Sequence, residues 1–351
     1  MLAGVRVLVV VWLLVSTTPA LAAGLFRAYV SSAGSDGNDC TLPHPCRLLP
    51  RALSAVASGG EIWMLDSANY NTSQVDVDRS VTILAVPGAL GSVVATNGGD
   101  AIFVGTAGIK VTLRNLVIVR LGTGNDGIGV NQASELDVED CEISNMTSSG
   151  IAAYDAAAKV RVTSTRLRGN NNGVYARGPV VVSLDRATVV GNATAGAYAD
   201  AGSKLIVSGS ILRDNGNGVY AIDSQVSLQG SQSDSNTTAG LYADNGSHVL
   251  ARDSNFAANG SYGVIANSTT GNTQVALVHD TASGSPYGYR VAALPTGIAN
   301  IWADGNQCFN CGFMFTLANG GGTEGISTQG NNGALWPGFG SNGPLAPWPF
   351  L

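Results

Sequence analysis

A four-residue phrase beginning with glycine recurs between Gly127 and Phe315, and the interval between its copies decides what the chain can be. The copies read Gly127-Ile-Gly-Val, Gly150-Ile-Ala-Ala, Gly173-Val-Tyr-Ala, Gly196-Ala-Tyr-Ala and Gly218-Val-Tyr-Ala. They continue as Gly240-Leu-Tyr-Ala, Gly263-Val-Ile-Ala, Gly288-Tyr-Arg-Val and Gly312-Phe-Met-Phe. The glycines are spaced 23, 23, 23, 22, 22, 23, 25 and 24 residues apart. A period of that size predicts a solenoid in which each coil stacks on the one before. Residues one and three places after each glycine are apolar or small, whereas the residue between them varies from Gly129 to Tyr175 to Arg290. Such alternation is a strand with one face in a core and one outside.

Asparagines phase the rest of the coil. Counting back from Asn170, Asn192, Asn215, Asn236 and Asn259, Val160, Val182, Leu205, Val226 and Val249 stand ten places earlier. Val162, Leu184, Val207, Leu228 and Ala251 stand eight places earlier, and Leu167, Val189, Leu212, Ser233 and Phe256 three places earlier. Asn145 fits the scheme with one residue fewer. Each coil is therefore read as about three short strands that turn at asparagine and glycine. No coil is stable alone, because its apolar columns become a core only when the next coil covers them. With stacked strands roughly 4.8 Å apart, asparagine amides can hydrogen-bond up the stack. Asn145, Asn192, Asn236 and Asn259 also open Asn-X-Ser/Thr sequons, but their fixed phase with the core favours a structural role.

Other solenoids fit worse. Leucine-rich repeats need leucines where this chain has Thr165, Ala187, Ser210, Ser231 and Ser254. No six-residue beat appears, nor the calcium-binding Gly-Gly-X-Gly-X-Asp nonapeptide. With its Gly-Val-Tyr-Ala and Val-X-Val…Asn elements, the chain resembles right-handed parallel β-helix proteins of the pectin-lyase-like superfamily over roughly residues 60 to 316. The expected fold is all-β: a single-stranded right-handed parallel β-helix with coils of about 22–25 residues and an N-terminal capping helix.

Composition supports one elongated exported domain. The chain has 351 residues, 45% hydrophobic and 12% charged, with a net charge of −6. It carries no basic tract, which argues against nucleic acid or an anionic membrane surface as partner. Residues 1–22 read as a signal peptide: Arg6 precedes the apolar run Val7 to Val15, and Ala20-Leu21-Ala22 offers a cleavage site. No other segment reads as a membrane span. Export frames the cysteines. Cys40 and Cys46 close a tight loop and are expected to pair; Cys308 and Cys311 form Cys-X-X-Cys, read as a small structural disulfide; Cys141 is left over and expected to be buried.

Residues 23–60 are assigned to the disulfide loop and the cap. Pro50 to Ala57 reads as a helix with Leu49, Leu53 and Val56 on one face, ended by Gly59-Gly60. By resemblance, such a helix covers the lower end of the solenoid. The β-helix is assigned to 61–316. Residues 317–351, rich in Gly, Pro and Trp, either fold over the top or form a tail. Trp336, Phe339, Trp348 and Phe350 favour the cap.

Three outward-facing groups could carry chemistry. Tyr175, Tyr198, Tyr220 and Tyr242 form a column on successive coils with Arg177, Asp200 and Asp244 beside it. Aromatic rings next to polar groups suit sugar stacking, although stacked tyrosines also stabilise a sheet by pairing. Glu135, Asp137 and Glu139 alternate outward and could hold Ca²⁺, the one cofactor considered, which pectate lyases of this superfamily use. Arg161 is expected over Asp137, which favours an ion pair instead. Arg252, Asp253, His279 and Asp280 fall at one corner and could do acid–base chemistry. The Asn-Thr-Asp, Asp-Asp and Gly-His-Gly motifs of the polygalacturonase-like branch are missing, as is the Arg-X-Pro-X-X-Arg of pectate lyases, and this weighs against catalysis. The leading expectation is a secreted, non-catalytic β-helix protein that binds polysaccharide or cell-surface glycan on its side. A polysaccharide lyase or glycoside hydrolase with an unfamiliar site and an adhesive spacer are the alternatives. Oligomeric state is left open.

Overall fold

The computed structural model describes residues 24–317, 323–328 and 333–334, apart from 133, 155 and 156. Residues 1–22, and the four large aromatics of the C-terminal segment, lie outside the described residues.

Each regular coil contributes three strands, as in Asn172–Arg177, Val181–Asp185 and Thr188–Val190. Every strand pairs in parallel with its counterpart on the next coil: Tyr175 with Tyr198, Val182 with Leu205, Val189 with Leu212. We call the three resulting sides the tyrosine face, the charged face and the short face. The short face is a separate 12-stranded sheet. The other two merge into a 22-stranded sheet, because the long strands Tyr262–Val278 and Tyr287–Asp304 run from one to the other. The fold is a single-stranded parallel β-helix. Inside it, Val160, Val182, Leu205 and Val226 are successive register partners and all are buried. Apolar side chains from all three faces fill the tube, and each column is continuous only because the coils keep the same length.

The repeat glycines are required by crowding rather than by a turn. A Cβ on Gly150 would lie 2.7 Å from the carbonyl oxygen of Gly173, and one on Gly196 would lie 2.7 Å from that of Gly218. The coils approach too closely there for any side chain. Turning is done elsewhere, at residues with left-handed backbone. One corner uses Asn145, Gly169, Gly191, Asp214, Ser235, Ala258 and Gly284, and another uses Asp140, Ser164, Arg186, Gly209, Gly230, Asp253 and His279.

The asparagine ladder forms as expected between Asn170 and Asn259. Asn192 Oδ1 accepts from the Asn170 amide at 3.1 Å, and Asn215 Oδ1 from the Asn192 amide at 2.9 Å. Asn236 and Asn259 continue it at 3.1 and 3.0 Å. Asn145 is not part of it. The ladder position on its coil is Met146, whose N–H donates to Asn170 Oδ1 at 3.0 Å. Asn145 is instead the exposed left-handed residue just before, which explains its one-residue offset. Asn192, Asn236 and Asn259 are buried, so their sequons are closed in the folded chain.

A second polar ladder occupies the positions that argued against leucine-rich repeats. Thr165 Oγ1 accepts from the N–H of Cys141, Ser210 Oγ from that of Ala187, and Ser231 Oγ from that of Ser210. Cys141 is buried there with a free thiol, and burial pushes that thiol up to about 12.

The helix, α1, spans Leu49–Ala55 and buries Leu49, Ala52 and Leu53. It is shorter than the sequence suggests. Val56 already pairs with Leu25 and opens the strand Val56–Met64, so Gly59 and Gly60 lie inside a strand and end no helix. Pairing along a sheet outweighs two more residues of helix. The strand Leu25–Val30 precedes α1 on the charged face, so stacking begins well before residue 61. α1 packs on Leu25–Val30, Val56–Met64 and Val75–Val77, at the lower end. Disulfides join Cys40 to Cys46 and Cys308 to Cys311.

Candidate functional site

The middle residue of the phrase faces outward wherever its neighbours face the core, so equal coil lengths stack the tyrosines. Tyr175, Tyr198, Tyr220 and Tyr242 are register partners. Their ring centroids are 5.2, 4.9 and 5.2 Å apart, with Tyr198 and Tyr220 close to parallel at 23°. Tyr154 joins below at 5.8 Å from Tyr175. All are half-buried. Burial first, then the carboxylates of Asp200 and Asp244, pushes the Tyr198 and Tyr220 hydroxyls up to about 12. They remain hydrogen-bond donors at neutral pH.

The two aspartates beside the column differ. Asp200 stands in register with Arg177 and accepts from the Tyr175 hydroxyl at 3.4 Å. Asp244 is buried, accepts from Asn267 Nδ2 at 2.9 Å, and has its pKa raised by burial. It supports the edge of the face from behind.

Above Tyr242 the outer column continues with Ile265 and Arg290. The aromatic run shifts sideways to Tyr262, Tyr287 and Phe313, stacked at 5.6 Å and 5.6 Å. The sequence phrase alone does not show this shift, because Tyr262 and Tyr287 stand one residue before the glycine, while Phe313 follows Gly312 and is brought into line by a shifted register.

The acidic strand Glu135–Glu139 is part of an ion-pair lattice on the charged face. Asp137 pairs with Arg161 at 2.7 Å and with Lys110 at 3.3 Å, one coil above and one below. Glu135 pairs with Lys159 at 3.3 Å and Glu139 with Arg114 at 2.6 Å. Each carboxylate already has a cation. Among the described residues no group of His, Cys, Asp or Glu has the arrangement of a metal site.

The corner of Arg252, Asp253, His279 and Asp280 splits in two. His279 Nδ1 lies 3.7 Å from Asp253 Oδ1 on the exposed side. Asp280 points inward and is fully buried, accepting from the N–H of Ser254 at 2.8 Å and of Val278 at 3.1 Å. It belongs to the second polar ladder, where the Asp280 N–H in turn donates to Asn306 Oδ1 at 2.7 Å. Sequence alignment places these residues at one corner but cannot say which side of the wall each occupies. The left-handed backbone of Asp253 and His279 recurs on nearly every coil and marks the fold, not a site.

One cluster was missed. Asp100 and Asp126 stand on consecutive coils at the foot of the tyrosine face. Asn125 Nδ2 bridges them, 3.2 Å from Asp100 Oδ1 and 3.0 Å from Asp126 Oδ2. Asp126 also accepts from the Ser149 N–H at 2.6 Å and the Tyr154 hydroxyl at 3.0 Å. Burial first, then the Asp126 carboxylate, raises the pKa of Asp100. Reading the repeat one residue upstream of its first letter would have shown two aspartates in one column.

The sequence matches the profile of the right-handed β-helix region over residues 89–223 and again over 150–308. Together the matches span 89–308, which is 220 of 351 residues. The chain belongs to the right-handed β-helix family. Solved structures with this fold include pectate lyase Pel9A, at 14% identity and a TM-score of 0.54, covering 84% of this chain and 77% of that one. XylC in complex with xylose is similar at 8% identity and 0.57, covering 86% of each. A lacto-N-biosidase from Eubacterium ramulus is similar at 11% and 0.56, covering 88% of this chain and 67% of that one. At such identities the likeness carries the parallel β-helix fold and no activity. No curated protein matches by sequence.

Proposed function

We propose that the tyrosine face is a lateral track on which an extended saccharide chain lies, successive sugars against successive rings. The carrying observation is the run from Tyr175 to Tyr242 with centroids 4.9–5.2 Å apart on a rigid wall. Sugar rings have apolar faces and polar edges, which suits half-buried rings with donor hydroxyls. A preformed platform also spares the ligand the cost of ordering the protein. The similar structures, a pectate lyase, XylC in complex with xylose and a lacto-N-biosidase, support a carbohydrate ligand. We infer that the protein works outside the cytoplasm, as its two disulfides support.

In affinity electrophoresis through polysaccharide gels, the parent should be retarded, and a Tyr198→Ala/Tyr220→Ala double variant should lose about tenfold or more in affinity. A variant that melts earlier yet migrates like the parent would leave the tyrosines a purely structural role.

The Asp100–Asp126 pair favours a second reading, hydrolysis of a glycosidic bond at the foot of the track. A carboxyl whose pKa is raised beside a second carboxylate has the makings of a general acid with its partner. Incubation with uronic-acid and neutral polymers, assayed for new reducing ends and unsaturated products, tests it. Activity should disappear in Asp100→Asn; activity that persists there removes the pair from the chemistry.

A further inference from the structure

We propose that Arg290 is an oxyanion subsite at the upper end of the track, so that the ligand is a largely neutral glycan carrying an isolated carboxylate or sulfate group. This rests on the track reading above. Arg290 continues the column of Tyr242, two coils on. At roughly 4.8 Å per coil, its subsite stands roughly 10 Å from the last ring of the column. The guanidinium carbon lies 4.8 Å from the Tyr287 ring centroid and 5.4 Å from that of Tyr262. Contact with both rings holds the planar group in place before any ligand arrives.

Arg290 has no counter-ion among the described residues, as is also true of Arg120, Arg166, Arg177 and Arg252; what sets it apart is that two rings hold it. Arg114, Arg161 and Arg168 each hold a carboxylate within 2.6, 2.7 and 2.6 Å. Among the described residues no carboxylate pairs with Arg290; its polar neighbours are aromatic rings and Thr316, its register partner on the next coil. Arg290 Nε and Thr316 Oγ1 are both buried without a hydrogen-bond partner. An unmatched donor is costly, and the guanidinium as a whole is only half-buried, which leaves its outer N–H groups for an oxygen anion. The other end of the face has the opposite sign. Asp100 and Asp126 lie at the foot of the face and Asp200 midway along it, and like charges there disfavour a polymer with an acid on every sugar. Only a ligand with its negative charge confined to one place suits both ends.

The test compares three probes by titration calorimetry: a neutral xylo-oligosaccharide, the same chain bearing one glucuronic acid, and an oligogalacturonate of equal length. The singly acidic chain should bind about tenfold or more tighter than the neutral one. Arg290→Gln should erase that margin, and the oligogalacturonate should gain nothing over the neutral chain. Equal binding of neutral and singly acidic chains, a margin that survives Arg290→Gln, or a preference for oligogalacturonate would overturn the proposal. If no oligosaccharide binds, the track itself fails, and sodium glucuronate alone decides the subsite. A near-UV circular dichroism change from the flanking tyrosines that vanishes in Arg290→Gln upholds it, and no change removes it.

Discussion

Asn215→Ala is expected to destabilise the solenoid by on the order of 4 kcal/mol, although the change is made on one coil of many. Asn215 is buried, and its Oδ1 accepts from the Asn192 N–H at 3.0 Å and the Asn192 amide at 2.9 Å. Its own amide donates to the Val189 carbonyl at 3.2 Å and to Asn236 Oδ1 at 3.1 Å. Alanine leaves these groups unpaired inside the wall, where each orphan costs roughly 1–3 kcal/mol and partial relaxation recovers some of it. The urea midpoint should fall, and the Asn192 amide should exchange with solvent much faster than amides several coils away. A midpoint within error of the parent would mean that the ladder is decoration on a stack held by apolar columns alone.

Asp280→Asn should change how stability depends on pH. Burial raises the Asp280 pKa to about 7, whereas an unfolded aspartate titrates near 3.9. Between those values the folded chain holds a proton that the unfolded chain has lost, so this group's contribution falls as pH rises from about 4 to about 7 and is level above that. Three units correspond to on the order of 4 kcal/mol. The amide cannot ionise, and Asn306 in the same ladder shows that the wall accommodates one. It keeps an acceptor for the Ser254 N–H but forfeits the one now facing the Val278 N–H. The variant should therefore melt below the parent near pH 4.5, gain on it up to about pH 7, and hold that gain at pH 8. A melting difference that is the same at both ends would show that Asp280 stays ionised in the folded chain.

How much was readable from the letters depended on whether a residue's role followed from its place in the period. Val160, Val182, Leu205 and Val226 line up because every coil repeats the same spacing, and the tyrosine column and the Arg161–Asp137 contact come from the same count. Roles set by side-chain direction at a corner were not readable. Asn145 carries the right letter and sits outside the ladder, while Met146 carries the wrong one and sits in it. Thr165, Ser210 and Ser231 looked like mere absences of leucine and turned out to share a hydrogen-bonded column.

The sequence by itself determined the architecture, since a repeating period can bury its apolar residues in only one way: by stacking coil on coil. It also determined which residues share a column. Only the tertiary structure decided which way each corner residue turns, that the repeat glycines are demanded by the carbonyl of the next coil, and that Asp100 meets Asp126 while Arg290 meets no acid among the described residues. The reason is one of range. Periodicity is a property of neighbours along the chain, whereas side-chain direction, burial and charge pairing at a corner depend on atoms more than twenty residues away, brought close only once the coils are stacked.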